Sequence, residues 1–339
     1  MYHPIYLEEF SIYDIYHNDN NNLVIISPYE NEPLTINFNN NKFNIFICPH
    51  KHTYVYVLEK KLLYEPRITI NINNKNIETC VNKYPEFKNE IILSTMVYNE
   101  DNIILQWVKF HHNIGIKKFI IYDNSGSDIK NNYSDPDAAK SNSLDNSNLT
   151  ELLSYYINEG IVILIYWPYT KYLKKSGISG QTTQQNHSIW AFKKSKYIGL
   201  FDVDEYINIQ HETNIEDFFN NLIKEYNINT NELGSFRLLN RFFHNPYNLP
   251  FDGFNFLKIY TCENITSYGN EKNFVIPMNV YTFSVHMITM GKNMCNISHK
   301  KIYFNHYIYL NKIDRGRNET QITDDSIDKH TKLILNNTI

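Results

Sequence analysis

Asp202-Val-Asp204-Glu205 directly follows the apolar run Tyr197-Ile-Gly-Leu-Phe201. In an extended segment residues i and i+2 point the same way. Asp202 and Asp204 are therefore expected to converge on one hard cation, or on one cation and a ribose hydroxyl. Mg²⁺ or Mn²⁺ typically takes one or two carboxylates and completes its octahedron with water and phosphate oxygens. Departure of a diphosphate needs such an ion, because the leaving group gains negative charge as its bond breaks. Stabilisation by several kcal/mol corresponds to roughly a 10³-fold rate gain. The plain alternative is a solvated strand end or a helix cap. A calcium loop is excluded, since Tyr206 and Ile207 fall at its fifth and sixth places and Asp128 falls where the Asp123–Asp128 stretch would need glycine.

The surrounding pattern predicts how these acids are held. Glu90–Val97 reads as a buried strand. A helix with Ile103, Ile104, Trp107, Val108 and His111 on one face follows, stopped by Gly115. Lys118–Tyr122 reads as a second strand, which completes a βαβ unit and implies ligands at the carboxyl ends of parallel strands. Further elements are predicted at 149–159 (helix), 161–166 (strand), 181–194 (helix) and 197–201 (strand). Thr213-x-x-Glu216 is predicted to cap a helix running to Tyr226. Residues 1–88 hold short alternating apolar pieces typical of a small antiparallel sheet or sandwich. The expected organisation is a small β-rich domain over 1–88 and an α/β domain over 89–339. Trp107 and Trp190 read as core. His111 and His112 face about 100° apart on a helix and cannot form a metal pair.

Neither Gly-x-Gly-x-x-Gly after the first strand nor a Walker glycine loop is present, so a glycine cradle does not grip phosphate here. Lys+Arg 32 against Asp+Glu 36 gives a net charge of −4, which argues against a nucleic-acid partner. The longest apolar run, Gly160–Trp167, is far short of a membrane span. The amino terminus lacks the layout of a signal peptide. Cys48, Cys80, Cys262 and Cys295 are scattered and read as free thiols. With neither a membrane span nor a signal-peptide layout present, cytoplasmic location is expected, and the A/T-rich look of the Asn, Ile, Tyr and Lys usage would fit a protist or a large virus acting in the host cytoplasm.

Several motifs occur in one order: Ser94-Thr-Met-Val-Tyr-Asn-Glu100, the Trp-containing helix, Phe119-Ile-Ile-Tyr-Asp-Asn124, Gln184-Gln185, Ile198–Glu205, Lys272–Pro277, Val285-His286 and Asn305-His306-Tyr307. Over about residues 89–320 this series resembles glycosyltransferase family 92 (the DUF23 group), whose fold is of GT-A type, related to family 2. The resemblance implies a Rossmann-like, mixed but mostly parallel sheet, a UDP-sugar donor, and a glycan or glycoprotein acceptor. It implies that Asn99 and Glu100 line the nucleotide pocket and that Asp123, with Asn124 beside it, contacts uracil or ribose. Asp202 would face the ribose or share the metal, Asp204 would hold the metal, and His306 would help hold metal or diphosphate. Histidine is a better ligand for Mn²⁺ than for Mg²⁺. Relatives carry Lys-Ser soon after His-Tyr where this chain has Leu310-Asn311, so Lys312 or Arg315 would serve the diphosphate.

An inverting transfer also needs a carboxylate to take the acceptor's proton. Asp252 and Glu263 are the candidates beyond the acidic motif. Phe242-Phe-His244 and Tyr247 could stack on a sugar, and His286 reads either as a pocket residue or as a buried histidine satisfied by backbone. The expected activity is metal-dependent sugar transfer to a glycan hydroxyl. The rival expectation is a catalytically silent carbohydrate-binding or scaffold protein with the same fold.

Overall fold

The computed structural model describes residues 1–28, 32–48, 53–98, 100–125, 148–167, 179–243, 255–263, 270–307 and 321–331. Residues 14–83 form two sheets. One is five-stranded and the other four-stranded. Ile15, Leu23, Ile25 and Tyr56 of the first pack against Ile36, Ile68, Ile70 and Ile72 of the second. The opposite face of the first sheet is also covered: Tyr16, Val24, Ile26, Val55 and Val57 share a core with Ile189, Trp190 and Phe192. Burial on both faces is why Leu23-Val-Ile-Ile26 is continuously apolar rather than alternating.

The rest of the described chain runs through β1 (Ile91–Val97), α1 (Asp101–Asn113), β2 (Lys118–Asp123), α2 (Leu149–Leu152), α3 (Ser154–Asn158), β3 (Val162–Tyr166), α4 (Ser179–Ala191), β4 (Tyr197–Leu200), β5 (Glu205–Ile209) and α5 (Ile215–Tyr226). It continues through β6 (Leu233–Leu238), β7 (Asn240–Phe243), β8 (Thr261–Glu263), β9 (Lys272–Val275), β10 (Val280–Ser284), β11 (Met287–Gly291), β12 (Asn293–Asn296), β13 (Ile302–Tyr307) and β14 (Gln321–Thr323).

A seven-stranded sheet has the order β3-β2-β1-β4-β9-β6-β12. Its first four strands are mutually parallel, while β9 runs antiparallel to both β4 and β6. Ile91, Leu93 and Val97 of β1 meet Ile104, Trp107 and Val108 of α1 on one face. Ile92 turns to the α4 side. The sheet is thus covered on both faces, as parallel sheets require. A second mixed sheet has the order β5-β13-β7-β8-β14. The chain leaves the first sheet at the end of β4 and enters the second at β5, so the acidic run Asp202–Glu205 is the crossing point.

Two local expectations meet the structure differently. Gly115 closes α1 with φ +99°, and an added Cβ there would sit 2.5 Å from Asn214 Nδ2. The α5 cap is Asn214, not Thr213. Asn214 adopts the extended conformation and its Oδ1 accepts from the Glu216 N–H at 2.8 Å, which leaves Thr213 one residue too early for the reciprocal box. All four cysteines are free. No helix among the described residues is long and apolar enough to cross a membrane.

Candidate active site

Asp202 to Glu205 is a turn rather than an extended segment, closed by the Glu205 N–H donating to the Asp202 carbonyl at 3.2 Å. That geometry undoes the i, i+2 convergence expected from the sequence, and the two aspartates serve different partners. Asp202 Oδ1 accepts from Gln181 Nε2 at 3.0 Å, and its Oδ2 lies 2.5 Å from Lys272 Nζ. Asp204 Oδ2 lies 3.3 Å from His306 Nε2. Glu205 Oε1 lies 3.8 Å from His306 Nδ1, and Oε2 lies 3.2 Å from Lys272 Nζ and accepts the Asp202 N–H at 2.9 Å. Asp204, Glu205 and His306 each offer a ligand atom within 4.8 Å of the others. Asp202 is not in that trio.

The elements explain the grouping. Glu205 in β5 stands directly opposite His306 in β13, in the register that runs to Ile209 opposite Ile302. The Tyr307 N–H donates to the Asp204 carbonyl at 2.9 Å. Lys272 comes from the start of β9, next to β4, and is buried. Phe242, buried in β7, backs the His306 ring at a centroid distance of 5.0 Å, so it supports the histidine instead of offering an open stacking face.

Burial pushes the Glu205 carboxyl up to about 8, against the pull of the Lys272 ammonium. Burial would discharge Lys272, but the Asp202 and Glu205 carboxylates outweigh it and hold the ammonium above its ordinary value. For His306 burial likewise opposes the charge, yet Asp204 raises it above 6.5. A group of acids with one compensating lysine, and a histidine whose buried Nδ1 has no hydrogen-bond partner among the described residues, is the donor chemistry of a divalent-cation site.

The other expected site residues are spread around this centre. Glu100 follows β1, and its carbonyl accepts from the Ile103 and Ile104 N–H groups at the start of α1. Asp123 and Asn124 end β2, both buried, with Asp123 Oδ1 accepting from the Ser125 N–H at 2.9 Å. These ends lie at the same carboxyl edge of the parallel strands as Asp202. Glu263 is buried within β8, opposite Gln321 and two strands from His306. Asn99, His244, Tyr247, Asp252, Lys312 and Arg315 lie outside the described residues.

His286 sits at a strained corner. Val285 has φ +41°, and the His286 N–H donates to the Ser284 carbonyl across it, a tight γ-turn rarely built around a β-branched residue. The His286 Nδ1–H donates to the Glu271 carbonyl at 2.8 Å.

From the sequence, Lys272 stood only within the Lys272–Pro277 motif, and neither it, Gln181 nor Glu205 carried a role of its own. The available signal was an acid opening the mostly apolar strand Glu205-Tyr-Ile-Asn-Ile209, which burial obliges to find a partner.

An acidic, histidine-containing centre at the carboxyl edge of a mixed α/β sheet is the frame into which the family comparison falls. The chain belongs to glycosyltransferase family 92, whose sequence model matches residues 142–337, more than half of its length. The matched segment includes Asp202, Asp204, Lys272, His286 and His306, while the motifs at 94–100 and 119–124 lie before it. No curated protein matches the sequence. Among solved structures, the apo form of the bifunctional glycosyltransferase WbbM aligns with 49% of this chain at 9% identity and a TM-score of 0.26. The aligned part is 27% of that protein, so this chain spans about a quarter of its length. An apo UDP-glucose pyrophosphorylase aligns with 73% of this chain and 97% of its own, at 6% identity and a TM-score of 0.26.

Proposed function

We propose that this chain moves a sugar from a UDP-sugar to a glycan hydroxyl, with inversion, on a GT-A type body in which Asp204, Glu205 and His306 hold Mn²⁺ or Mg²⁺. The observation that carries the reading is the convergence of those three side chains in a family 92 chain. Two carboxylates and an imidazole suit Mn²⁺ better than Mg²⁺. A divalent ion bound there would neutralise charge on the departing diphosphate.

The protein's own groups have distinct tasks. Lys272 ties Asp202 and Glu205 together, which stops either acid from swinging away. Asp202, tethered at both oxygens yet 42% exposed in its side chain, keeps lone pairs for a ribose hydroxyl. Glu100, Asp123 and Asn124 stand at the strand ends where a nucleotide would lie in such a sheet. Asp252 is the proposed acceptor-side base, because Glu263 is buried in β8.

The reading is tested by incubating a panel of UDP-sugars with the protein and following UDP release. Release should stop with EDTA, return with Mn²⁺, and fall by roughly 10³-fold in Asp204→Ala. Normal release by Asp204→Ala in Mn²⁺ would remove the metal assignment.

A further inference from the structure

Among the described residues β5 is an edge strand, since only β13 pairs with it in its sheet. Residues 205, 207 and 209 turn backbone groups away from β13, and an unpaired buried backbone group is costly. Among the described residues no strand covers this edge. Three side chains do. Trp107 Nε1 donates to the Glu205 carbonyl at 3.0 Å. His111 Nε2 accepts from the Ile207 N–H at 3.3 Å, while its Nδ1–H donates to the Trp107 carbonyl at 2.9 Å. His330 Nε2 donates to the Ile209 carbonyl at 3.1 Å. Trp107, His111 and His330 are all fully buried.

The Trp107 and His111 side chains stand one turn apart on α1, so one helix face reads out two adjacent groups of the strand. Tyr206 stacks against His111 with ring centroids 5.6 Å apart and planes 24° apart. Glu205 is therefore fixed from two sides: by register opposite His306 on β13, and by the indole N–H on its own carbonyl.

We infer that Trp107 and His111 are positioning residues for the acidic centre, acting through the backbone of β5 to hold Glu205 and Asp204 against His306. The inference rests on the reading of that trio as a cation site. Outer partners that orient ligands are commonly worth 10–100-fold in metal affinity or activity. A loosened edge lets the Asp204–Glu205 peptide rotate, and the three donor atoms no longer converge.

The experiment measures Mn²⁺ affinity by calorimetry, well below the melting temperature, for wild type, Asp204→Ala, Trp107→Phe, His111→Leu, His111→Gln and Ile104→Ala. Hydrogen exchange of the metal-free protein at Ile207 is the second readout. Phenylalanine keeps an aromatic ring while losing the indole N–H and part of the ring volume, a cavity cost that Ile104→Ala brackets, and glutamine at 111 restores an acceptor. Ile104 is buried on the same helix and touches none of these bonds, so Ile104→Ala reports generic destabilisation. Trp107→Phe and His111→Leu should weaken Mn²⁺ by about 10–100-fold. His111→Leu should also speed exchange at Ile207, while His111→Gln and Ile104→Ala stay near wild type. If Trp107→Phe and His111→Leu bind Mn²⁺ as Ile104→Ala does, while Asp204→Ala loses it, the inference falls and the cation site stands. Absence of Mn²⁺ binding in wild type overturns both.

Discussion

Lys272 is the residue on which the local electrostatics turn. Its ammonium, 3% exposed, lies between Asp202 and Glu205. Removing one partner of a buried ion pair commonly costs about 3–5 kcal/mol, because the remaining charge is left uncompensated. Lys272→Met is accordingly expected to lower stability by about that amount and to weaken divalent-ion binding, whereas Lys272→Arg recovers part of both. Thermal melts with and without Mn²⁺ check this, and a Met variant as stable as wild type would show that the lysine is not the clamp. At this scale the sequence was half legible. Residue type and motif order pointed to Asp204 and His306, which the structure brings within 3.3 Å of each other. Asp202 was not separable from them, because i, i+2 convergence holds for an extended backbone and a turn exists here. Lys272 lies 70 residues away from its partner, and its contact depends on β9 docking against β4.

The element scale is governed by the edge of β5. His111 must present a bare Nε2 to the Ile207 N–H, so only the neutral ring fits. Burial lowers His111 to about 3 and His330 to about 4. The unfolded chain takes up protons near pH 6.5 while the folded state refuses them until far lower. The stability these rings contribute is thus complete above about pH 6.5 and is lost as pH falls toward 4 and 3. The slope is at most about 1.4 kcal/mol per pH unit for each ring. Urea midpoints at pH 7.5, 6 and 5 should fall more steeply for wild type than for His111→Gln, and parallel curves would contradict the assignment. The α1 periodicity, its glycine stop and the parallel strands were visible in sequence, since each is set by local pattern. That Trp107 donates to Glu205 across 98 residues was not: a buried tryptophan on an apolar face reads as core, and here it is core with a directed N–H.

Across the whole molecule, α4 ties the parts together. Its His187 joins Asp14 of the amino-terminal sheet, Nε2 to Oδ2 at 3.0 Å, to Tyr122 of β2, Nδ1 to hydroxyl at 2.7 Å. Asp14 also accepts from Tyr84, Asn82 and the Ile5 and Ile15 N–H groups. Asp14→Ala would leave several buried donors unpaired at about 1–3 kcal/mol each, so its melting temperature should drop well below that of a surface control such as Glu9→Ala. An unchanged melt would mean the network does not couple the two regions. Composition and spacing foresaw strands in residues 1–88 but not that one face of their sheet would share a core with α4, because a doubly buried strand looks alike whatever covers it. The same α4 carries Gln181 to Asp202 and Gln184 to Ser94 of β1, so the amino-terminal sheet supports the helix that frames the acidic centre. The most direct test of that centre is a calorimetric titration of UDP into wild type and His306→Ala, with Mn²⁺ and with EDTA. Wild type should bind UDP strongly only with Mn²⁺, and His306→Ala should lose most of that gain. Equal UDP binding with and without the metal would contradict a divalent ion held by Asp204, Glu205 and His306.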